Sequence, residues 1–118
     1  TAYQYRDNSL YAQASRGFMP DGNVVPQVAA PGVQIRVPLL NGLYGNASGT
    51  SLSAAQTAGA AALLFEWAVI RGNQPYFTGS SVKNYITRGA EREERMQYPN
   101  RDWGFGRMDL YHTFELLA

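Results

Sequence analysis

The chain has 118 residues, of which 45% are hydrophobic and 16% are charged, and its formal net charge is +1. This composition is typical of one packed globular unit and excludes a disordered chain. The small net charge gives no support for binding nucleic acid or an anionic membrane, and the lack of cysteine excludes disulfides, thiolate catalysis and cysteine-ligated zinc.

Two stretches in the first half of the chain alternate apolar and other residues, as half-buried strands do. They are residues 9–15 (SLYAQAS) and residues 33–37 (VQIRV). Pro and Gly stand at turn positions between them, which indicates short strands joined by tight loops. Residues 39–49 are rich in Gly and Asn, and we expect them to form a loop.

Residues 52–70 predict one long helix that is apolar on nearly every side. Such a helix is expected in the interior of a protein. A membrane span is the alternative, because some of its small residues are spaced four apart as in packed membrane helices. Gln56, Thr57 and Glu66 interrupt the apolar run well short of the roughly 20 residues that a span needs. We therefore expect no membrane contact.

Two shorter helices are predicted in the second half of the chain. The first has Ser80 or Ser81 as its expected N-cap and ends near Gly89. A charged, proline-containing loop then leads to the last helix. The residues that share one face of this last helix are Leu110, Phe114 and Leu117.

Hydroxyl residues precede the alanine-rich helix in the sequence SGTSLSAAQ, residues 48–56. Ser and Thr are common N-caps, and Ser53 with Gln56 matches a capping box. The second interpretation makes Ser51 a nucleophile, because the first-turn N–H groups and the positive end of a helix stabilise negative charge beside it. The position of Ser51 in the sequence leaves both interpretations open.

A wider set of motifs around Ser51 resembles the subtilisin-like serine proteases, or subtilases. The stretch VAAPGVQIRVPLLNGLYGNASGTSLSAAQTAGAAALL is similar to that family's APGV strand, glycine-containing loop, GTS motif and long central helix. The stretch WGFGRMDLYHTFELL is similar to its closing glycine-rich turn and final helix. The resemblance covers nearly all of residues 1–118 but only the C-terminal part of a whole catalytic domain. It implies an α/β fold in which short strands of a mainly parallel sheet accompany a long buried helix and two further helices.

The resemblance implies a serine endopeptidase in which Ser51 is the nucleophile and its own backbone N–H is one donor of the oxyanion hole. The triad His and Asp, and the Asn that completes the oxyanion hole, precede these motifs in the family and lie outside this chain. We therefore expect the chain alone to be inactive. Its expected partners are the N-terminal part of the same domain and a protein or peptide substrate. The alternative is an inactive subtilase that acts as a binding or regulatory protein.

The sequence departs from the usual family motif at Leu52, Ala55, Gln56 and Thr57, where Met, Pro, His and Val are common. The replaced His is structural in the family, so the implied nucleophile is unaffected. The whole sequence looks most like subtilases of clostridial bacteria, a group that includes spore-germination proteases and inactive relatives. This implies a bacterial protein that is secreted or spore-associated. Because Thr1 stands in place of an initiator Met, we expect a fragment or a processed product.

Asp109 and His112 offer a second route to activate Ser51, because they follow it in the order Ser, Asp, His used by α/β-hydrolases. However, residues 49–53 lack the second Gly of G-x-S-x-G, and Asp109 and His112 are neighbours on one helix face. We expect a solvated or capping histidine there. No cofactor is expected in this chain, and no set of residues is identified here as a calcium site, although subtilases often bind calcium through loops. Uncovered strand edges are expected to meet the N-terminal partner or a second copy.

Overall fold

Short strands and three α-helices make up residues 1–117, the part of the chain that the computed structural model describes. A 3₁₀ turn lies between the last two strands, and a π-helical turn extends the first helix. The mixed α/β class predicted from the sequence is confirmed. The elements are β1 (Ala2–Gln4), β2 (Ser9–Leu10), β3 (Ala30–Pro31), β4 (Ile35–Pro38), the 3₁₀ turn (Leu40–Gly42), β5 (Tyr44–Ala47), α1 (Thr50–Phe65), the π-helical turn (Glu66–Ile70), α2 (Gly79–Gly89) and α3 (Leu110–Leu117).

Strand β1 is the middle strand of a sheet with the order β2-β1-β3. It runs parallel to β3, with Ala2 opposite Ala30, and antiparallel to β2. On the other side of β3, the Ala29 N–H donates to the Gly106 carbonyl and the Met108 N–H donates to the Ala29 carbonyl. The chain around β3 is therefore bonded on one side by β1 and on the other by the closing glycine-rich turn.

One of the two predicted strands is much shorter than expected. The strand predicted over residues 33–37 is present as β4. The strand predicted over residues 9–15 ends at Leu10. The chain turns there, because the Tyr11 carbonyl accepts a hydrogen bond from the Ala14 N–H and the alternating residues leave the sheet.

Residues 39–49 are not the loop that we expected, because they contain strand β5. Strand β5 pairs antiparallel with β4 and forms a hairpin. Its turn contains Asn41 and Gly42, whose φ angles are 60° and 73°. Asn-Gly favours two consecutive left-handed residues, which the tight turns of hairpins require. The hairpin tip exposes Leu40, of which 85% is accessible to solvent.

The helix predicted over residues 52–70 is confirmed and begins slightly earlier, at Thr50. Leu64 is fully buried in a core that α1 forms with the segment around Phe77 and with α2. The opposite side of α1 is uncovered within residues 1–117, and only 22% of the residues in its most apolar 18-residue window are buried. The burial expected for this helix is therefore reached on one side only within the described residues. The helix Thr50–Ile70 is long and apolar enough to cross a membrane by length and composition alone, which is weak evidence for a span.

Helix α2 begins with a different cap from the one expected. Its N-cap is Thr78 instead of Ser80 or Ser81. The Thr78 N–H donates to Ser81 Oγ at 3.2 Å, and Ser81 is thus the partner residue of a capping box. The predicted last helix is confirmed as α3. Its residues that pack against the core are Leu110, Phe114 and Leu117.

The charged segment EREER surrounds a buried arginine. Arg107 is 8% exposed and forms ion pairs with Glu91 and Glu93, each at 3.2 Å. Its guanidinium carbon lies 6.0 Å from the centre of the Tyr3 ring. Glu93 also accepts a hydrogen bond from Arg95 at 2.7 Å. These contacts attach the closing turn to the segment before it and to β1.

We expect acid to weaken this cluster. The hydrogen bond from Arg95, with a further contribution from Arg107, lowers the pKa of Glu93 below its ordinary value. A carboxyl group whose pKa is lower in the folded than in the unfolded chain stabilises the fold at pH values above its pKa in the unfolded chain. This stabilisation is lost as the pH falls through its pKa in the folded chain. The urea midpoint of the wild-type chain should therefore fall more steeply between about pH 5 and about pH 3 than that of Glu93→Gln. Equal slopes for the two proteins would contradict this prediction.

Candidate functional site

Ser51 is the second residue of α1, and it is exposed. Gly49 is the N-cap of this helix, and no side chain caps its first turn. The interpretation of Ser51 as an N-cap is therefore wrong. Within residues 1–117 the Ser51 hydroxyl has no hydrogen-bond partner.

The capping box expected between Ser53 and Gln56 is also absent. The Ser53 hydroxyl is buried and donates to the Ala30 carbonyl at 2.8 Å. The Gln56 side-chain amide donates to the Pro31 carbonyl at 3.0 Å. Both side chains thus bind the neighbouring strand β3 instead of the end of their own helix.

A third hydrogen bond completes the attachment of α1 to β3. The Gly49 N–H donates to the Gly32 carbonyl at 2.7 Å. Three consecutive carbonyl groups, those of residues 30–32, therefore accept hydrogen bonds from Gly49, Ser53 and Gln56, and we call this set the β3 clamp. Ser51 lies in sequence between the donors of the β3 clamp. Its position relative to the sheet is fixed by contacts within this chain.

Ser51 also lies at the positive end of a helix. Helix α1 has 16 residues and no acidic residue in its first turn. The first N–H groups of a helix have no partner within it, and together with the helix dipole they give this end a partial positive charge. An oxyanion that forms on a carbonyl attacked by Ser51 would meet this charge. This end of α1 is thus suited to stabilising negative charge beside Ser51.

Asp109 and His112 do not join Ser51. The Asp109 carboxylate accepts a hydrogen bond from the His112 backbone N–H at 2.8 Å, which caps the start of α3. The His112 ring nitrogen Nδ1 lies 3.0 Å from the Gly89 carbonyl oxygen at the end of α2. His112 is also exposed, which agrees with the expected solvated or capping histidine, and in residues 1–117 no base contacts Ser51. In the same residues no three His, Asp or Glu side chains lie close enough to hold a metal ion.

Two open grooves lie beside Thr50, the residue before Ser51. One has a volume of about 310 Å³, and its walls include Phe18 and Met19. The other has a volume of about 400 Å³ and follows the side of α1. Val25 and Pro26 line both grooves. No sequence pattern predicts these grooves, since only the fold brings the loop before β3 next to the start of α1.

The fold described above is similar to those of solved proteases. The chain superposes on the Clostridium perfringens CspB protease with a TM-score of 0.92 and 39% identity. This match covers 98% of the present chain and 25% of the CspB chain. The chain also superposes on the prenylagaramide maturation protease PagA with a TM-score of 0.63 and 27% identity. This match covers 77% of the present chain and 33% of the PagA chain. The chain therefore corresponds to between a quarter and a third of these proteases.

Sequence comparison gives the same assignment. The chain is 45% identical to the C5a peptidase of Streptococcus pyogenes over 51 residues, which are 43% of this chain and 4% of that protein. The subtilase family model matches residues 1–106. That match includes the motif around Ser51, the β3 clamp and the closing turn as far as Gly106. The chain belongs to the subtilase family.

Proposed function

We propose that Ser51 is the nucleophile of a serine endopeptidase. The observation that carries the proposal is an exposed serine hydroxyl without a hydrogen-bond partner in residues 1–117, held by the β3 clamp at the positive end of α1. Membership of the subtilase family and the protease relatives support it. The enzyme is a longer polypeptide that carries this chain together with the triad His and Asp, here called the parent protein.

The mechanism follows from the chemistry of serine. Ser51 Oγ attacks the carbonyl carbon of the scissile peptide bond while the triad His removes the hydroxyl proton, and Asp orients that His. The oxyanion of the tetrahedral intermediate accepts hydrogen bonds from the Ser51 backbone N–H and from an Asn of the preceding segment. Collapse of the intermediate releases the amine, which takes the proton from His. Water then hydrolyses the acyl-enzyme and regenerates Ser51.

The preceding segment of the parent protein is the first partner that we propose. The exposed small and apolar residues of α1 and the grooves beside Thr50 leave surface that a packed domain would cover. The bonds of Ser53 and Gln56 to β3 support a role for α1 inside a protein domain in preference to a membrane. Alone, the chain would expose this surface to the solvent or to a second copy.

We propose a protein or peptide substrate, no cofactor in this chain, and no binding of nucleic acid. The clostridial and streptococcal relatives support a bacterial protein, and we propose that it is secreted or spore-associated.

Fluorophosphonate labelling, read by intact mass, tests the proposed nucleophile. The reagent phosphonylates a serine, with release of fluoride, only where a base activates the hydroxyl. We expect the parent protein to gain one label and its Ser51→Ala variant to gain none. We expect the 118-residue chain alone to remain unlabelled, because no base contacts Ser51 in residues 1–117.

Two results would contradict the proposal in different ways. Labelling of the isolated chain at Ser51 would place the activating base within this chain. An unlabelled but folded parent protein would favour the alternative function, an inactive subtilase that acts as a binding or regulatory protein.

A further inference from the structure

The Pro31 carbonyl occupies an unusual place at the side of β3 that faces away from β1. Along a strand, every second residue directs its backbone N–H and carbonyl to the same side, and the residue before Pro31 that does so on this side is Ala29. Ala29 is bonded there by Gly106 and Met108, and the chain enters α3 at Leu110. The closing turn therefore provides no donor for the Pro31 carbonyl. The donor that this carbonyl does have is the side-chain amide of Gln56, at 3.0 Å.

The contact of Gln56 defines one end of the β3 clamp. At the other end the Gly49 backbone N–H binds the Gly32 carbonyl at 2.7 Å. From Gly49 to Gln56 the helix rises by about two turns, and Ser51 lies between the two contacts. A helix that is held at two such points cannot easily slide or rotate on the strand beneath it.

We propose that Gln56 is a positioning residue for Ser51. Gln56 is itself exposed, so it contributes little to the buried core. Its effect is to hold the Pro31 carbonyl and thereby fix the rotation of the first two turns of α1. Reaction requires the nucleophilic oxygen at a defined distance and angle from the carbonyl carbon, and a displacement of about 1 Å can lower the rate by about 100-fold. This inference rests on the proposed function of Ser51.

The variants that test this role differ in whether residue 56 can donate a hydrogen bond. Gln56→Met keeps a flexible, unbranched side chain of similar length but has no N–H donor. Gln56→His restores an N–H donor at this position. Thr57→Val is the matched control, because the Thr57 hydroxyl donates at 2.9 Å to the Ser53 carbonyl of the same helix and does not bind β3.

The test compares peptide hydrolysis by the wild-type parent protein and its three variants. Each rate is corrected for the fraction of sites that a fluorophosphonate can label. We expect Gln56→Met to lower kcat about tenfold and to change KM by less than about twofold, because alignment and not binding is lost. Gln56→His should recover most of kcat, and Thr57→Val should change it by less than about twofold. Unchanged kcat in Gln56→Met would overturn the proposal.

A second measurement separates this inference from the proposed function. Amide hydrogen exchange of residues 49–53 in the parent protein reports the mobility of the first turn whether or not the enzyme is active. We expect faster exchange in Gln56→Met than in Thr57→Val, with normal exchange restored in Gln56→His. Failure of the parent protein to label would reject the proposed nucleophile alone. Unchanged exchange in Gln56→Met would reject the positioning role.

Discussion

Replacing Ser51 with alanine in the parent protein should lower kcat for peptide hydrolysis by about 10⁶-fold, the scale known for removal of a triad serine. The variant keeps the oxyanion hole and substrate binding, so a small residual rate above that of water is expected. The fold should be unaffected, because the Ser51 side chain is exposed and has no hydrogen-bond partner in residues 1–117. Peptide hydrolysis and the thermal unfolding temperature should be measured on the same preparation.

Helix α2 offers a matched control for this substitution. Ser80 is the second residue of α2, as Ser51 is of α1, and it is also exposed. Ser80→Ala should leave both kcat and the unfolding temperature unchanged. If Ser51→Ala kept more than about a hundredth of the wild-type kcat, the covalent mechanism on Ser51 would be wrong.

Replacing Gly32 with alanine should lower the free energy of unfolding of the 118-residue chain by about 3 kcal/mol. A Cβ at this position would collide with Ser53 Oγ, and it would lie 2.8 Å from both Ala2 Cβ and the Gly49 carbonyl oxygen. These three groups belong to α1, β1 and the N-cap of α1, so no single side chain can move aside to make space. The backbone of the β3 clamp would have to separate.

Urea unfolding measures this effect, with Gly79→Ala as the control. An added Cβ on Gly79 would meet no atom within 4 Å, and Gly79 does not contact the β3 clamp. We expect this control to be neutral or slightly stabilising. In the parent protein, Gly32→Ala should also slow fluorophosphonate labelling of Ser51. A urea midpoint equal to that of the wild type would show that the start of α1 can move away from β3 at little cost.

The helices of this chain could be predicted from sequence because their signals are local. The apolar run of residues 52–70 and the spacing of Leu110 and Phe114 identify two helices correctly. The hairpin was missed even though Asn41-Gly42 is a strong local signal for a tight turn. Glycine and asparagine are common in both loops and hairpin turns, so the composition of residues 39–49 does not by itself distinguish the two.

The candidate site was only partly predictable, for a different reason. Ser51 could be selected from the order of motifs along the chain. The roles of Ser53 and Gln56 could not, because the same residue types at the same spacing form either a capping box or bonds to another element. The structure resolves this choice in favour of β3, whose Ala30 and Pro31 carbonyls lie within reach. Tertiary contacts outweighed a local pattern.

The base of the β4–β5 hairpin is closed by contacts that do not involve its tip. The Gln34 N–H donates to Ser48 Oγ at 2.9 Å, and the next residue, Gly49, is bound to the Gly32 carbonyl. Length changes near Asn41 would therefore be absorbed before they reached Ser51, since a longer turn costs little free energy when its ends are already held together. Residues in this turn can thus vary in number while Ser51, the proposed nucleophile, stays in place, and we expect the tip to tolerate inserted segments.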